Sequence, residues 1–381
     1  MGISTTNIHD SSYYLSVICV CFITYTYCKE MDYIRRMKMI IFLVFLCFIM
    51  ICSCKFCFPN LDSKYLSKEY TQAIKGIFVI IVFLSHVKTY VDFNGAGDIF
   101  VIQILNYFGQ LMVALFLFYS GYGIYESIKY RGQKYIDLLP KNRIGKTFFD
   151  FALAIILFLI IDLIIGKNYS IFTVLLSFTG WTSIGNSAWY MFAIFTLYIV
   201  TYICFKMLKN KRFLSILLIT ILSLCYIYIM SLLRDNYWSS TYLCYVAGMW
   251  YSYFKEKIDC FFSRNQKNYF IVTLLIVFMY IYFFQYRYTR LMMFNFVSIL
   301  FCLSIVLLSF KISFQSQLLK WFGNHLFWIY ILQRIPMILL QYFHIEQYDS
   351  YLYLSLCFVI TVIFAHYTNI FSGYLKNKIW K

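Results

Sequence analysis

The chain has 381 residues, of which 62% are hydrophobic and only 13% charged, with a mean hydropathy of +0.71. A soluble domain carries about a quarter charged residues, so this composition excludes an ordinary soluble globular protein. The formal net charge of +17 does not indicate nucleic acid either. The basic residues are scattered through short loops and form no long basic face, and in a membrane chain such an excess is first a topology signal.

Apolar runs near 13–28 and 39–56 open the chain, followed by 72–91, 99–125, 147–166, 188–207, 213–233, 238–254, 269–286, 291–310, 321–343 and 351–375. Each is long enough for a hydrocarbon core of about 30 Å. Backbone hydrogen bonds in lipid must close within the segment, so the runs are expected to be helices. The fold class is therefore all-α: a polytopic transmembrane bundle with a ten-span core at 70–381 and an extension at 1–69 carrying one or two further apolar segments. The piece "SIFTVLLSFTGW" at 170–181 is too brief to span and is expected to be re-entrant or interfacial.

The first seventy residues resist a simple topology. Lys29, Arg35, Arg36 and Lys38 lie between the first two runs, and Lys55, Lys64 and Lys68 follow the second. Both loops cannot share one side if both segments cross. Either one segment lies along the membrane or translation begins at Met37 or Met39. "MKMIIFLVFLCF" also has the outline of a signal peptide, but no small-residue cleavage site follows it. Cys52, Cys54 and Cys57 in "CSCKFC" have no partner pair at zinc spacing, so packing at a membrane edge is expected, lipidation is the weaker alternative, and no metal is expected.

From residue 55 onward Lys and Arg alternate from loop to loop. Segments 55–68, 129–146, 206–212, 255–267, 311–320 and 376–381 hold 22, whereas the intervening loops hold five: Lys88, Lys167, Arg234, Arg287 and Arg290. This bias places the first group in the cytoplasm, with both ends of the ten-span core inside.

Within "IKGIFVIIVFLSH", Ile74 to His86, two ionisable residues bracket an apolar run. Eleven residues of helix rise about 16 Å and finish about 20° from the starting direction, so Lys75 and His86 share a face. Lys75 alone would be read as snorkelling to the interface and His86 as a polar contact between helices. Together, a cation at the inner mouth and a proton-accepting imidazole deeper on the same wall outline a path. Ser85, the next residue, turns about 100° away and is expected to be less directly involved.

Here the sequence resembles a family. "AIKGIFVIIVFLSHV" is similar to the first-span signature of the membrane acyltransferase-3 family: a basic residue, ten intervening residues, then a histidine. "VALFLFYSGYGIY" (113–125), "NRIGKTF" (142–148), "AWYMFAIFTLYI" (188–199) and "LLKWFGNHLFWIYILQ" (318–333) resemble further family segments in order, over roughly residues 70 to 375. The resemblance implies an enzyme that moves an acyl group from acyl-coenzyme A, a co-substrate rather than a resident cofactor, to a sugar or other acceptor. It implies His86 as the catalytic residue, either deprotonating the acceptor hydroxyl or being acylated itself, and Lys75, Arg143 and Lys146 as donor-binding cations. The chain departs from the family in Lys75 and Lys146, where arginine is commoner, in Gln333, where many relatives have histidine, and in His325, where they have serine. Lysine replaces a bidentate phosphate contact with a point charge.

Weaker candidates for the acceptor or the channel are Trp189, Tyr190, Asp162, Gln333 and Arg334. Asp162 would orient His86 or bind the acceptor, and Arg334 needs a partner, either Asp162 or a substrate oxygen. Trp189 and Tyr190 would stack on a sugar or line the acyl channel, against the plainer reading of an interfacial aromatic belt. Asp150 is expected to pair with the neighbouring basic loop, and Glu126 to be a solvated helix end. The expected activity is O-acetylation of a cell-surface glycan or its lipid-linked precursor, in a bacterial plasma membrane. The alternative is a flippase or transporter of a lipid-linked sugar, with His86 relaying protons. A glycan polymerase would need a large outer loop that this chain lacks.

Overall fold

A computed structural model describes residues 38–57, 60–209 and 211–380. The expected span at 13–28 and the residues Lys29, Arg35 and Arg36 lie outside the described residues. Among the described residues the regular structure is helical apart from one two-stranded antiparallel pair, β1 (Cys54–Phe56) with β2 (Ile312–Phe314). Among the described residues eight helices are long and apolar enough to cross a membrane. This is a multi-pass, all-α membrane protein.

After α1 (Lys38–Ser53) comes the first long helix, α2 (Lys68–Val87), capped by Ser67. It is the most enclosed of the eight: 67% of its most apolar window is buried inside the protein, against 17% for Gln266–Phe284. From Ala73 to Val87 every residue is buried except Lys75, Ser85 and His86. A helix that is apolar all round belongs in an interior, and α2 is the axis of this one.

The run expected to cross at 99–125 is two helices. α3 (Ala96–Phe108) ends at Gly109, whose φ of +45° turns the chain into α4 (Leu111–Arg131), itself long enough to span. A short α5 (Gln133–Leu139) and a π-helical turn (Pro140–Gly145) lead into α6 (Lys146–Ile164). α7 (Ile171–Ser177), in the segment judged too short to span, has seven residues, with Ile171 and Phe172 turned outward.

α8 (Ala188–Leu208), α9 (Arg212–Leu233), α10 (Leu243–Arg264), α11 (Gln266–Phe284) and α12 (Leu291–Leu308) follow. Beyond β2 the chain forms α13 (Gln317–Asn324), α14 (Leu326–Leu332), α15 (Arg334–Tyr342), α16 (Ile345–Tyr348) and the long α17 (Ser350–Ile379). Three expected spans fall outside the eight for physical reasons: at 39–56 the helix α1 has only 16 residues, and two lie in the core. α10 carries Lys255, Glu256, Lys257, Asp259 and Arg264 in its second half, and the run at 321–343 is interrupted at His325 and Gln333.

The loops sort to two ends as their charges suggest. Lys129 pairs with Glu256 at 2.5 Å, Lys206 with Asp137 at 2.5 Å and Lys320 with Glu69 at 3.6 Å, tying the basic segments into one end. Asp150 binds Lys376 of α17 at 2.7 Å and accepts from Ser372, so its partner is the last helix rather than the loop preceding it. Glu126 likewise is no free helix end, since it accepts from Ser252 at 2.7 Å. At the opposite end Lys88 meets Asn106, Gln110 donates to Tyr237, and Arg234 lies between Trp181 and Trp238.

Two helix pairs approach far more closely than side chains permit. A Cβ on Gly76 would stand 2.0 Å from the Leu319 carbonyl oxygen, and one on Gly323 would stand 1.9 Å from that of Gln72, so α2 and α13 meet backbone to backbone. Gly121 and Gly248 do the same for α4 and α10, at 1.9 Å from Tyr245 and 2.1 Å from Phe118. Without a hydrophobic driving force between helices in lipid, such close contact supplies the dispersion energy that association needs.

The structure gives two expected outcomes. Gly76→Leu or Gly323→Leu lowers the thermal unfolding midpoint in detergent, with a destabilisation of about 3 kcal/mol from overpacking, whereas Gly123→Leu, which meets nothing within 4 Å, leaves it unchanged. The second concerns the cysteine cluster, where Cys57 Sγ lies 3.6 Å from Asp62 Oδ2. Burial and that carboxylate push the Cys57 thiol above its ordinary range, so its thiolate is scarce at neutral pH. Maleimide labelling of Cys57, read by peptide mass spectrometry, should be slow at pH 7, rise with pH, and quicken in Asp62→Asn.

Candidate active site

Pro336 determines where the late span breaks. Lacking an N–H and clashing with the carbonyl four residues earlier, it cannot complete the ladder at Leu332. The helix lapses at Gln333, whose Nε2 donates back to the Tyr330 carbonyl at 2.8 Å. Irregular backbone at such a place is tolerated where it is buried in protein or lines a cavity. Here it presents Tyr330 and Arg334 to a cavity of about 700 Å³ at the end of the bundle opposite the basic loops.

His86 lines that cavity. Its ring lies 6.3 Å, centre to centre, from Tyr330, which packs edge-on against Tyr190 at 5.2 Å. The Gln333 side chain approaches the imidazole, and Arg334 is the charge that acts on it. Nδ1 of His86 and Oε1 of Gln333 are both enclosed and lack a closed hydrogen bond. One is a donor and the other an acceptor in the tautomer protonated on Nδ1, which leaves the Nε2 lone pair for a substrate.

Ser85 lines the same cavity with its hydroxyl buried and unpartnered, although helical geometry argued for its turning away. The space is wide enough for both neighbours to border it. Trp189 lines it too, 6.2 Å from Tyr237. Tyr190 is packed inside against Tyr330 rather than standing in a surface belt.

Lys75 occupies a different environment. Its Nζ lies 5.4 Å from the centre of the Tyr119 ring, and the charges acting on it most strongly are those of Arg143 and Lys68. Arg143 Nε donates to the Tyr135 hydroxyl at 3.1 Å, with Tyr198 and Tyr245 nearby. Among the described residues neither Lys75 nor Arg143 makes an ion pair within 4 Å. Lys146 follows Arg143 across the π-helical turn, its amide donating to the Arg143 carbonyl. The expected open path from Lys75 to His86 is not formed, because the cavity beside His86 does not include Lys75 in its walls. Between them on the shared face lie Val79, fully buried, and Val82, which lines the cavity floor.

Two expected partnerships are not formed. Asp162 is buried, but its neighbours are Lys167 and Tyr169, and it borders neither His86 nor the cavity. Arg334 therefore does not pair with it: it interacts with Tyr90, and its Nε is buried without a partner. Among the described residues no three His, Cys, Asp or Glu side chains gather to hold a metal.

Sequence reasoning counted Lys88, Arg287 and Arg290 only as exceptions to the charge bias, yet all three line the His86 cavity. The signal was present, because a cation on the sparse side of a membrane chain opposes the topology rule.

Fold and site define a multi-pass membrane protein with a histidine on a cavity wall, Lys75 farther along the same helix, and Arg143 of the π-helical turn acting on that lysine. A family model described as an acyltransferase domain matches residues 68–369. The chain belongs to the acyltransferase-3 family. No curated protein and no solved structure matches it.

If Gln333 holds the His86 tautomer, Gln333→Leu lowers kcat for acyl transfer about tenfold with little change in KM, and Gln333→Asn recovers part of the loss. Steady-state kinetics on purified protein check this.

Proposed function

We propose that this acyltransferase uses acyl-coenzyme A, with acetyl as the acyl group, and acts on a hydroxyl of a cell-surface glycan or its lipid-linked precursor. The observation that carries the reading is the arrangement along α2. A histidine stands on a cavity wall at one end, and Lys75 with Arg143, cations without carboxylate partners among the described residues, stands toward the other. Cations placed together without counter-ions suit phosphate oxygens, and coenzyme A carries phosphates at one end and its thioester at the other.

In this reading the basic end faces the cytoplasm and ten passes cross a bacterial plasma membrane. α10 and the broken α13–α15 segment complete the count, leaving both ends of the core inside. Coenzyme phosphates bind Lys75 and Arg143, with Lys146 following on the same turn. The pantetheine arm then covers the roughly 16 Å of helix rise to His86, displacing the side chains around Val79 and Val82. The acceptor enters from the opposite end.

His86 Nε2 takes the proton of the acceptor hydroxyl as its oxygen attacks the thioester carbonyl. The carbon–sulfur bond breaks, the acyl group stays on the acceptor oxygen, and the coenzyme thiolate takes the proton back from the imidazolium. Gln333 orients the ring through Nδ1, and Trp189 offers a face for a sugar to stack on.

In the test, purified protein in lipid nanodiscs is given labelled acetyl-CoA and envelope extract. The expected result is transfer of label to a saccharide and loss of at least about a thousandfold in His86→Ala, the scale of removing a general base. Lys75→Met and Arg143→Met should instead raise KM for acetyl-CoA about tenfold each, the scale of a lost charge-assisted contact. Full transfer by folded His86→Ala, or saccharide movement across the bilayer without any acyl donor, overturns the proposal; the latter outcome favours the flippase.

A further inference from the structure

The cavity beside His86 is lined by four cations, Lys88, Arg287, Arg290 and Arg334, and no aspartate or glutamate borders it. They come from three separate parts of the chain: the end of α2, the α11–α12 turn and the broken late span. Among the described residues none of the four makes an ion pair within 4 Å. Their recorded contacts are with neutral groups. Lys88 meets the Asn106 carboxamide, Arg287 donates to the Phe284 carbonyl at 2.9 Å and stacks on Tyr288, and Arg334 interacts with Tyr90. Arg334 Nε is buried without a partner.

Chance does not readily explain this gathering. In the sequence the loops assigned to that end carry five cations against 22 in the alternate loops, and three of those five converge on one cavity. Like charges drawn together around a partly enclosed space repel, and an aqueous cavity with low-dielectric walls concentrates their field. Such a site becomes favourable when a ligand brings the opposite charge, and guanidinium forks match phosphate and carboxylate oxygens in particular. Tyr237 and Trp238 in the same wall supply apolar faces for the rest of the ligand.

We infer that the acceptor is anionic: the His86 cavity takes a sugar derivative carrying a phosphate or a carboxylate, held by Arg287, Arg290, Arg334 and Lys88 while its hydroxyl meets the imidazole. This rests on the transferase reading for the role of the ligand, but binding of the anion does not depend on turnover.

The experiment uses the full chain in phosphatidylcholine nanodiscs and two matched pairs of probes. One pair is octyl glucuronide against octyl glucoside; the other is farnesyl phosphoglucose against farnesyl glucoside. Binding is measured by titration, and acetyl transfer from labelled acetyl-CoA is measured in parallel. The expected result is that the anionic member of at least one pair binds about tenfold or more tightly than its neutral partner, as a charge-assisted contact provides. The arm that shows it distinguishes an acidic sugar from a lipid-linked phosphosugar. In Arg287→Gln/Arg290→Gln the preference should fall to within about twofold, with binding of the neutral probe retained as the sign of an intact fold.

Equal binding within both pairs, or binding of no probe at millimolar concentration, overturns the inference. If label still leaves acetyl-CoA for a neutral acceptor, the transferase reading survives that failure. Tight anion binding with no transfer to any acceptor supports the anionic cavity and removes the transferase reading instead.

Discussion

The contact between Gly76 of α2 and Gly323 of α13 is the constraint on which the site depends. Each glycine lies where any side chain would enter the other helix's backbone, so the axes meet at the shortest separation that helices allow. That pins the start of the late span against the central helix. One short helix later, Pro336 interrupts the ladder, and the chain then has no choice but to present Tyr330, Gln333 and Arg334 near His86. A wider spacing would open a gap between the imidazole and the carboxamide that faces it.

The same economy explains why α2 tolerates two ionisable residues. Transfer of a charge into hydrocarbon is costly enough that such residues face protein or water. From Ala73 to Val87 α2 is packed on every side, and the few positions left partly open there are Lys75, Ser85 and His86. The unusual composition of "IKGIFVIIVFLSH" thus reflects an interior axis, with openings at its ionisable and hydroxyl side chains. Lys75 and His86 share a helix face but not a compartment: buried valines separate a tyrosine-lined cationic site from the aromatic cavity at the far end. A donor and an acceptor arriving from opposite ends would meet at that partition.

Charge is distributed on the same logic. At the basic end cations are tied to Asp137, Asp150, Glu256 and Glu69, a structural use that staples loops together. Lys75 and Arg143 nearby, and the four cations of the His86 cavity, have no such partners among the described residues. Five cations of the basic end pair with carboxylates and tie helices and loops together, whereas the four around the His86 cavity do not, a difference that residue counts alone do not show.

Much was legible in the sequence. Apolar runs placed the helices, because a bilayer demands about twenty apolar residues and closed backbone bonds; the alternation of Lys and Arg sorted the loops into two ends; and a spacing of eleven put Lys75 and His86 on one face. What lay beyond it were relations between segments distant in the chain. The break of 99–125 at Gly109, the pairing of Asp150 with Lys376, the isolation of Asp162 from Arg334 and the approach of Gln333 to His86 each depend on how helices pack. Helical periodicity is a local property that hydrogen bonds four residues apart impose, so sequence reveals it. Which faces meet is decided by steric fit between backbones, at Gly76 and Gly323 above all, and that is settled only when the whole bundle closes.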